Sequence, residues 1–402
     1  MTRLALLSTL LLAFHAPGAR AQHPAVQAAI DAVNIDSLIL DLRQLDGEAP
    51  IDLGNGPQSI VSRNKNQPGN PLAADWLQLR MQQLGFEPTL QVFSGGTGEN
   101  IIAEKPGALH PERKVIICGH YDAMPGGPVA APAADDDGSG TVAVLEAMRV
   151  LRDITFENTL VFALWDEEEQ GKLGSIYYAG VAAASDVEIT GVVNMDAIAY
   201  DGDGDGLMRI HTKNIANSIA IKDSALMVNS TYGLNLNTAI NLPGATYSDH
   251  ASFWNENYGA ILVIEDFDND GNPHYHTTTD LVEYLDQPYF QGLARLSIGT
   301  AAVLAKPYAS VPNAVVASGA TESGAYAWPS PTHGPVRVAR TRTDRPATVQ
   351  LVDPLGRVVE EQRLGSGQRL LDLDLSARVP GTYEVRVLDA TGVGCVRVMR
   401  LP

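Results

Sequence analysis

Short, wholly apolar runs recur along the chain up to about residue 265, and each is followed at once by polar residues. Val115-Ile116-Ile117-Cys118 leads into Gly119-His120-Tyr121-Asp122, and Leu160-Val161-Phe162-Ala163-Leu164 leads into Trp165-Asp166-Glu167-Glu168-Glu169. Val192-Val193 leads into Asn194-Met195-Asp196. Ala260-Ile261-Leu262-Val263-Ile264 leads into Glu265, with His276 farther along the loop. Apolar runs without alternation suit strands buried on both faces. Between them the spacing turns helical, as at Val144, Leu145, Met148 and Leu151. Asn70-Pro71 reads as a helix start, with Asn as N-cap and Pro in the first turn. Ala73, Leu77, Met81 and Leu84 follow at helical spacing and Gly85 closes the segment. Strands alternating with helices predict an α/β domain with a mainly parallel or mixed central sheet flanked by helices.

Near residue 311 the pattern changes. Residues 307–325 are rich in Ala, Ser, Gly and Pro and read as a linker. Beyond them come short alternating segments, such as Thr348-Val349-Gln350-Leu351-Val352 and Tyr383-Glu384-Val385-Arg386-Val387, separated by turns such as Asp353-Pro354-Leu355-Gly356. This predicts a small antiparallel β-sandwich over residues 326–402. At the other end, Arg3, the apolar stretch Leu4–Phe14 and the Ala19-Arg20-Ala21 site read as a secretory signal peptide over 1–21, cut before Gln22. Residues 22–306 are left as the α/β domain.

Charge narrows the partners. The 402 residues carry a net charge of -19, which makes nucleic acid a poor partner. From residue 311 on there are 11 Arg, no Lys and 9 acidic residues, so the acidic excess lies before that point. Part of it is assigned below to metal sites. The two cysteines, Cys118 and Cys395, fall in different predicted domains and are not expected to pair. No apolar run after the first 15 residues is long enough to span a bilayer.

In open α/β sheets, ligands bind at the carboxyl ends of strands. Four such ends loaded with carboxylates and imidazoles therefore point to one site. Imidazole and carboxylate ligands without cysteine suit catalytic rather than structural zinc. Two metals about 3.5–4 Å apart can clamp both the attacking and the leaving atoms of a hydrolysis. Three carboxylates and one hydroxide would balance the charge of two Zn²⁺. Taken singly each motif has a plainer reading: a hydrogen-bonded His, a solvated acidic loop, an Asp that caps a helix.

Together they carry a resemblance. Gly119-His120-Tyr121-Asp122, Ala134-Asp135-Asp136-Asp137-Gly138-Ser139-Gly140, Glu168-Glu169-Gln170-Gly171 with Gly174-Ser175, Met195-Asp196, Ser248-Asp249-His250-Ala251-Ser252-Phe253 and His276-Thr277-Thr278-Thr279-Asp280 resemble, in that order, the M28 zinc aminopeptidases. The likeness runs over roughly residues 60–305. It implies a zinc-peptidase fold and cleavage of peptides that have a free N-terminus. It also implies roles: Asp136 bridges two zinc ions, His120 and Asp196 complete one site, and Glu169 and His276 complete the other. Glu168 would be the general base and Asp122 would orient His120. Some members place a tyrosine three residues before Ser-Asp-His to stabilise the oxyanion. Here that position is Ala245, and Tyr247, directly before Ser248, is the candidate oxyanion or substrate contact. Two rivals remain: a one-zinc glutaminyl cyclase, which shares the fold and a His-Tyr-Asp, and an inactive surface-binding relative.

Two further segments carry motifs. Asp201, Asp203 and Asp205, and again Asp266, Asp268 and Asp270, show the D-x-D-x-D-G start of a calcium loop, but position twelve is Thr212 or Thr277 rather than Glu. Turn formation is the preferred reading and a structural calcium the other. In the tail, Trp328-Pro329-Ser330-Pro331-Thr332, Asp353-Pro354-Leu355-Gly356-Arg357, Leu373-Asp374-Leu375-Ser376 and Pro380-Gly381-Thr382-Tyr383 resemble the C-terminal sorting domain of the type IX secretion system. That implies contact with the export machinery and a secreted or cell-surface location. The plainer reading is a carbohydrate-binding or spacer domain.

Overall fold

Residues 22–308, 325–328, 332–340, 343–354, 356–390 and 392–401 are described by a computed structural model. The signal-peptide reading, nearly all of the linker reading and the Pro329-Ser330-Pro331 motif lie outside these residues. The chain divides into two compact units between Tyr308 and Ala309.

In the first unit, β1 (Ile51–Asp52) and β2 (Pro57–Gln58) form a small ribbon. The main sheet has eight strands: β3 (Thr89–Phe93), β4 (Gly98–Lys105), β5 (His110–His120), β6 (Asn158–Trp165), β7 (Glu188–Met195), β8 (Leu207–His211), β9 (Asn237–Asn241) and β10 (Ala260–Glu265). Their order is β3-β4-β6-β5-β7-β10-β8-β9. The four central strands, β6, β5, β7 and β10, are mutually parallel, and antiparallel pairs join β3, β4 and β8 to them. These four carry the apolar runs. Val115, Ile116, Ile117 and Cys118 are fully buried, as are Leu160 to Leu164. Burying one such aliphatic side chain is worth about 1.5–3 kcal/mol, so the centre of the sheet is where the apolar drive concentrates. Helices cover both faces; the longest, Gln287–Ala305, packs against β5 and β7.

One helix boundary differs from the sequence expectation. The helix begins at Gly69, not at an Asn70 cap, and runs to Gln83. The Asn70 amide is engaged elsewhere: it donates to the Arg63 carbonyl and to Asp166 Oδ1, at 3.0 and 2.9 Å. Gly85 closes the segment at φ +91°.

In the second unit, β11 (Ala325–Trp328), β12 (Pro335–Arg340) and β15 (Leu370–Asp374) form one antiparallel sheet. β13 (Ala347–Val352), β14 (Val358–Leu364), β16 (Gly381–Asp389) and β17 (Gly392–Arg400) form the other. Val336, Val338 and Leu373 of the first sheet share a core with Val349, Leu351, Val385 and Val387 of the second. This is the expected sandwich.

Candidate metal centre

Side chains help to fix the ends of the central strands. The His120 N–H, at the end of β5, donates to Asp137 Oδ2 at 3.0 Å, and its carbonyl accepts from Thr141 Oγ1 at 2.6 Å. Asp137 also accepts from the Gly140 and Ala197 N–H groups. A Cβ on Gly119 or Gly140 would fall 2.6 and 2.4 Å from that carboxylate, so only glycine fits at either place. Asp137 is not the N-cap of the following helix, which is Ser139, but its oxygens are all spent on backbone N–H groups, the first helical residue Gly140 among them.

Asp136, beside it, faces the other way. Its Oδ1 lies 3.3 Å from His120 Nε2 and its Oδ2 lies 3.0 Å from His276 Nε2. Asp196 Oδ1 is 3.7 Å from the first imidazole and Glu169 Oε2 is 3.0 Å from the second. Two triads result, His120-Asp136-Asp196 and Asp136-Glu169-His276, with potential ligand atoms in each within 4.8 Å of one another. They share Asp136. His120 Nδ1 is 3.4 Å from Asp122 Oδ1, and the Asp122 carboxylate also accepts the N–H groups of Glu168 and Glu169. One residue thereby fixes an imidazole on β5 and the acidic loop after β6.

The residues present fit a cation. Glu169 Oε1 is buried and makes no hydrogen bond, and His276 Nε2 faces only carboxylates, Asp136 Oδ2 and Glu169 Oε2. Burial opposes charge on His276, yet the facing Asp136 and Glu169 outweigh it and push the imidazole up to about 10. Burial, reinforced by the charge of Asp136, raises Glu169 to about 7. Carboxylates crowded this closely in a dry setting call for positive charge. Oxygen and imidazole donors without sulfur suit catalytic zinc.

Glu168 is 8% exposed and lines a cavity of about 220 Å³ with Asp136, Glu169, Asp196, Ala197, Tyr247, Ile264, Phe267 and Tyr275. Burial, with the charges of Asp249, Asp196 and Asp122, raises its pKa well above the usual range against the opposing His120. Tyr247 stands at this cavity.

Three features escaped the sequence. Tyr275 stacks on His276 with ring centroids 3.7 Å apart. His211 lies against Tyr247. Asp280 accepts the N–H groups of Asp135 and Asp136 and so ties the His276 loop to the Asp triplet. Only Asp280 left a signal, as the end of the His-Thr-Thr-Thr-Asp run.

Asp201, Asp203 and Asp205 are also gathered within 4.8 Å, but their oxygens accept the N–H groups of Gly204, Gly206, Asp205 and Leu207. Asp266, Asp268 and Asp270 are not gathered. Asp266 pairs with Arg209, Phe267–Asp270 is a short helix, and Asp270 accepts from Gly202 and Asp203.

Residues 100–301 match the model of peptidase family M28, and residues 326–399 match the secretion system C-terminal sorting domain. A probable leucine aminopeptidase of Trichophyton verrucosum is 33% identical over 211 residues, which is 50% of this chain and 55% of that protein. The chain thus spans about half the length of the curated relatives it matches. The LapA aminopeptidase of Legionella pneumophila has the same fold, with a TM-score of 0.59 at 21% identity over 70% of this chain and 74% of that one. A Bacteroides thetaiotaomicron glutaminyl cyclase bound to N-acetylhistamine also shares it, with a TM-score of 0.54 at 16% identity over 67% and 97%.

Proposed function

The chain belongs to peptidase family M28, and on that premise we propose that it is a secreted aminopeptidase with two zinc ions per chain. The observation that carries this reading is the sharing of Asp136, whose two oxygens face different histidines. A carboxylate so placed would serve two ions, one in each triad. His120 and Asp196 would hold the first, and Glu169 and His276 the second. Zinc bound there would polarise the scissile carbonyl and make a water molecule more acidic.

The remaining work falls to the chain. Glu168 takes a proton from the attacking water as its oxygen adds to the carbonyl carbon. It returns the proton to the nitrogen as the C–N bond breaks. Its raised pKa makes it a stronger base than an ordinary carboxylate. Asp122 keeps His120 and the Glu168–Glu169 backbone in register. Ala197, Ile264, Phe267 and Tyr275 give the cavity an apolar wall beside its carboxylates. That combination supports substrates with a free ammonium group and an apolar N-terminal side chain. Tyr247 donates its hydroxyl to the oxyanion. The sorting domain supports export through a type IX system to the surface or the medium, with the signal peptide directing the first membrane crossing.

The test is hydrolysis of Leu-p-nitroanilide against an N-acetylated peptide, with zinc counted. Two zinc ions per chain and cleavage of the free amine alone are expected. Equal cleavage of the blocked peptide would sink the aminopeptidase assignment, and one zinc with cyclisation of N-terminal glutamine would favour the cyclase.

A further inference from the structure

The Tyr247 loop is held in place by two imidazoles that belong to neither triad. The His211 ring, at the end of β8, is buried, and its Nδ1 accepts the Ala245 N–H at 3.0 Å. On the other side, His250 Nε2 donates to the Ala245 carbonyl at 2.9 Å. The loop must come this close, since a Cβ on Gly244 would lie 2.8 Å from His211 Cβ. His211 Nε2 then faces Tyr247 Oη at 3.4 Å, with the two rings edge-on at 5.5 Å.

These contacts fix where the protons are. Burial holds His211 down to about 4, so the ring is neutral at pH 7 and carries one proton. Nδ1 is already an acceptor, which places that proton on Nε2. The Nε2–H therefore points at the Tyr247 oxygen, and the hydroxyl's own hydrogen must point elsewhere. Tyr247 borders the cavity that holds Asp136, Glu168, Glu169 and Asp196. Burial and the nearby Asp196 also raise the phenol's pKa, so it keeps its proton for donation.

We propose that His211 is a positioning residue, which sets the Tyr247 hydroxyl as a hydrogen-bond donor into the cavity where the substrate oxyanion forms. This rests on the peptidase reading above. It supplies what the absent tyrosine at position 245 would have given, from a different place in the loop and with a different support.

Two measurements on the full chain test it. The first is the imidazole ¹⁵N spectrum at pH 7, read without substrate. His211 is expected as the Nε2–H tautomer, and an Nδ1–H tautomer would overturn the proposal. The second is a double-mutant cycle on Leu-p-nitroanilide. In His211→Asn, the Asn oxygen still reaches the Ala245 N–H but nothing reaches Tyr247. Loss of one oxyanion donor costs about 10²–10³ in kcat, so Tyr247→Phe should fall into that range. His211→Asn should lose about tenfold in kcat with KM within about twofold, and the pair together should be no slower than Tyr247→Phe alone. Losses that multiply, or an unchanged kcat in His211→Asn, would overturn the role of His211 while leaving the peptidase reading intact. A wild-type chain that loads zinc but releases no p-nitroaniline would remove the peptidase reading and this role with it.

Discussion

Among the described residues, the Asp201–Asp205 loop and the strand-end triads both gather carboxylates, and they differ in where their oxygens are directed. In the Asp201–Asp205 loop the side chains turn back on their own backbone and accept N–H groups two to five residues away. The group is exposed and self-satisfied. At the strand ends the same residue types are buried, come from separate strands, and meet imidazoles instead of amides. Asp136 and Asp137 make the contrast within one peptide: Asp137 binds three backbone N–H groups, while Asp136 faces two histidines. Proximity of carboxylates is therefore a poor guide to a metal site. Their remaining lone pairs are a better one.

Five experiments set the two groups against each other. The largest effect is expected for Asp136→Asn, which removes the carboxylate common to both triads: on the proposed two-zinc reading, zinc content should fall towards none and peptidase activity should drop to background. Retention of one ion with activity would mean that the triads are independent. Glu168→Gln comes next, with kcat lower by about 10²–10⁴-fold at unchanged zinc content, as expected for loss of a general base. Chelation should lower Tm, because a ligand at 1,000 times its Kd stabilises by about 4 kcal/mol; a melting curve indifferent to chelator would count against resident zinc. The smallest effect is expected for Asp203→Asn with Asp205→Asn. Activity should be unchanged and Tm should move by no more than about 2 °C. Calcium added to the wild type should likewise leave Tm where it was, and a clear rise would make the loop a site after all.

The four central strands were legible because burial on both faces favours apolar residues at their centres, giving long apolar runs in β5, β6 and β10 and the shorter Val192-Val193 in β7. The edge strands were not. In β3, Leu90 and Val92 are exposed, and β9 is partly exposed throughout, so neither stands out from its surroundings. The helix at Gly69–Gln83 starts two residues before the sequence reading because Asn70 looks like a cap, while its amide in fact bridges Arg63 and Asp166. At the site, the strand-end clusters were visible as local motifs. Tyr275 and His211 were not, since a stacking tyrosine and a lone histidine carry no pattern until the fold sets them beside His276 and Tyr247.

The strand order has a consequence for assembly. β10 is the last strand of the main sheet along the chain, yet it sits between β7 and β8. Without it β8 and β9 are not joined to the other strands of the sheet. Its insertion completes the middle of the sheet and brings in the loop that bears His276. Contacts of such long sequence separation are slow to form because loop-closure entropy must be overcome first. A nascent or partly threaded chain therefore lacks His276 and with it the second triad, so a cation held there would mark the finished fold rather than a step on the way to it.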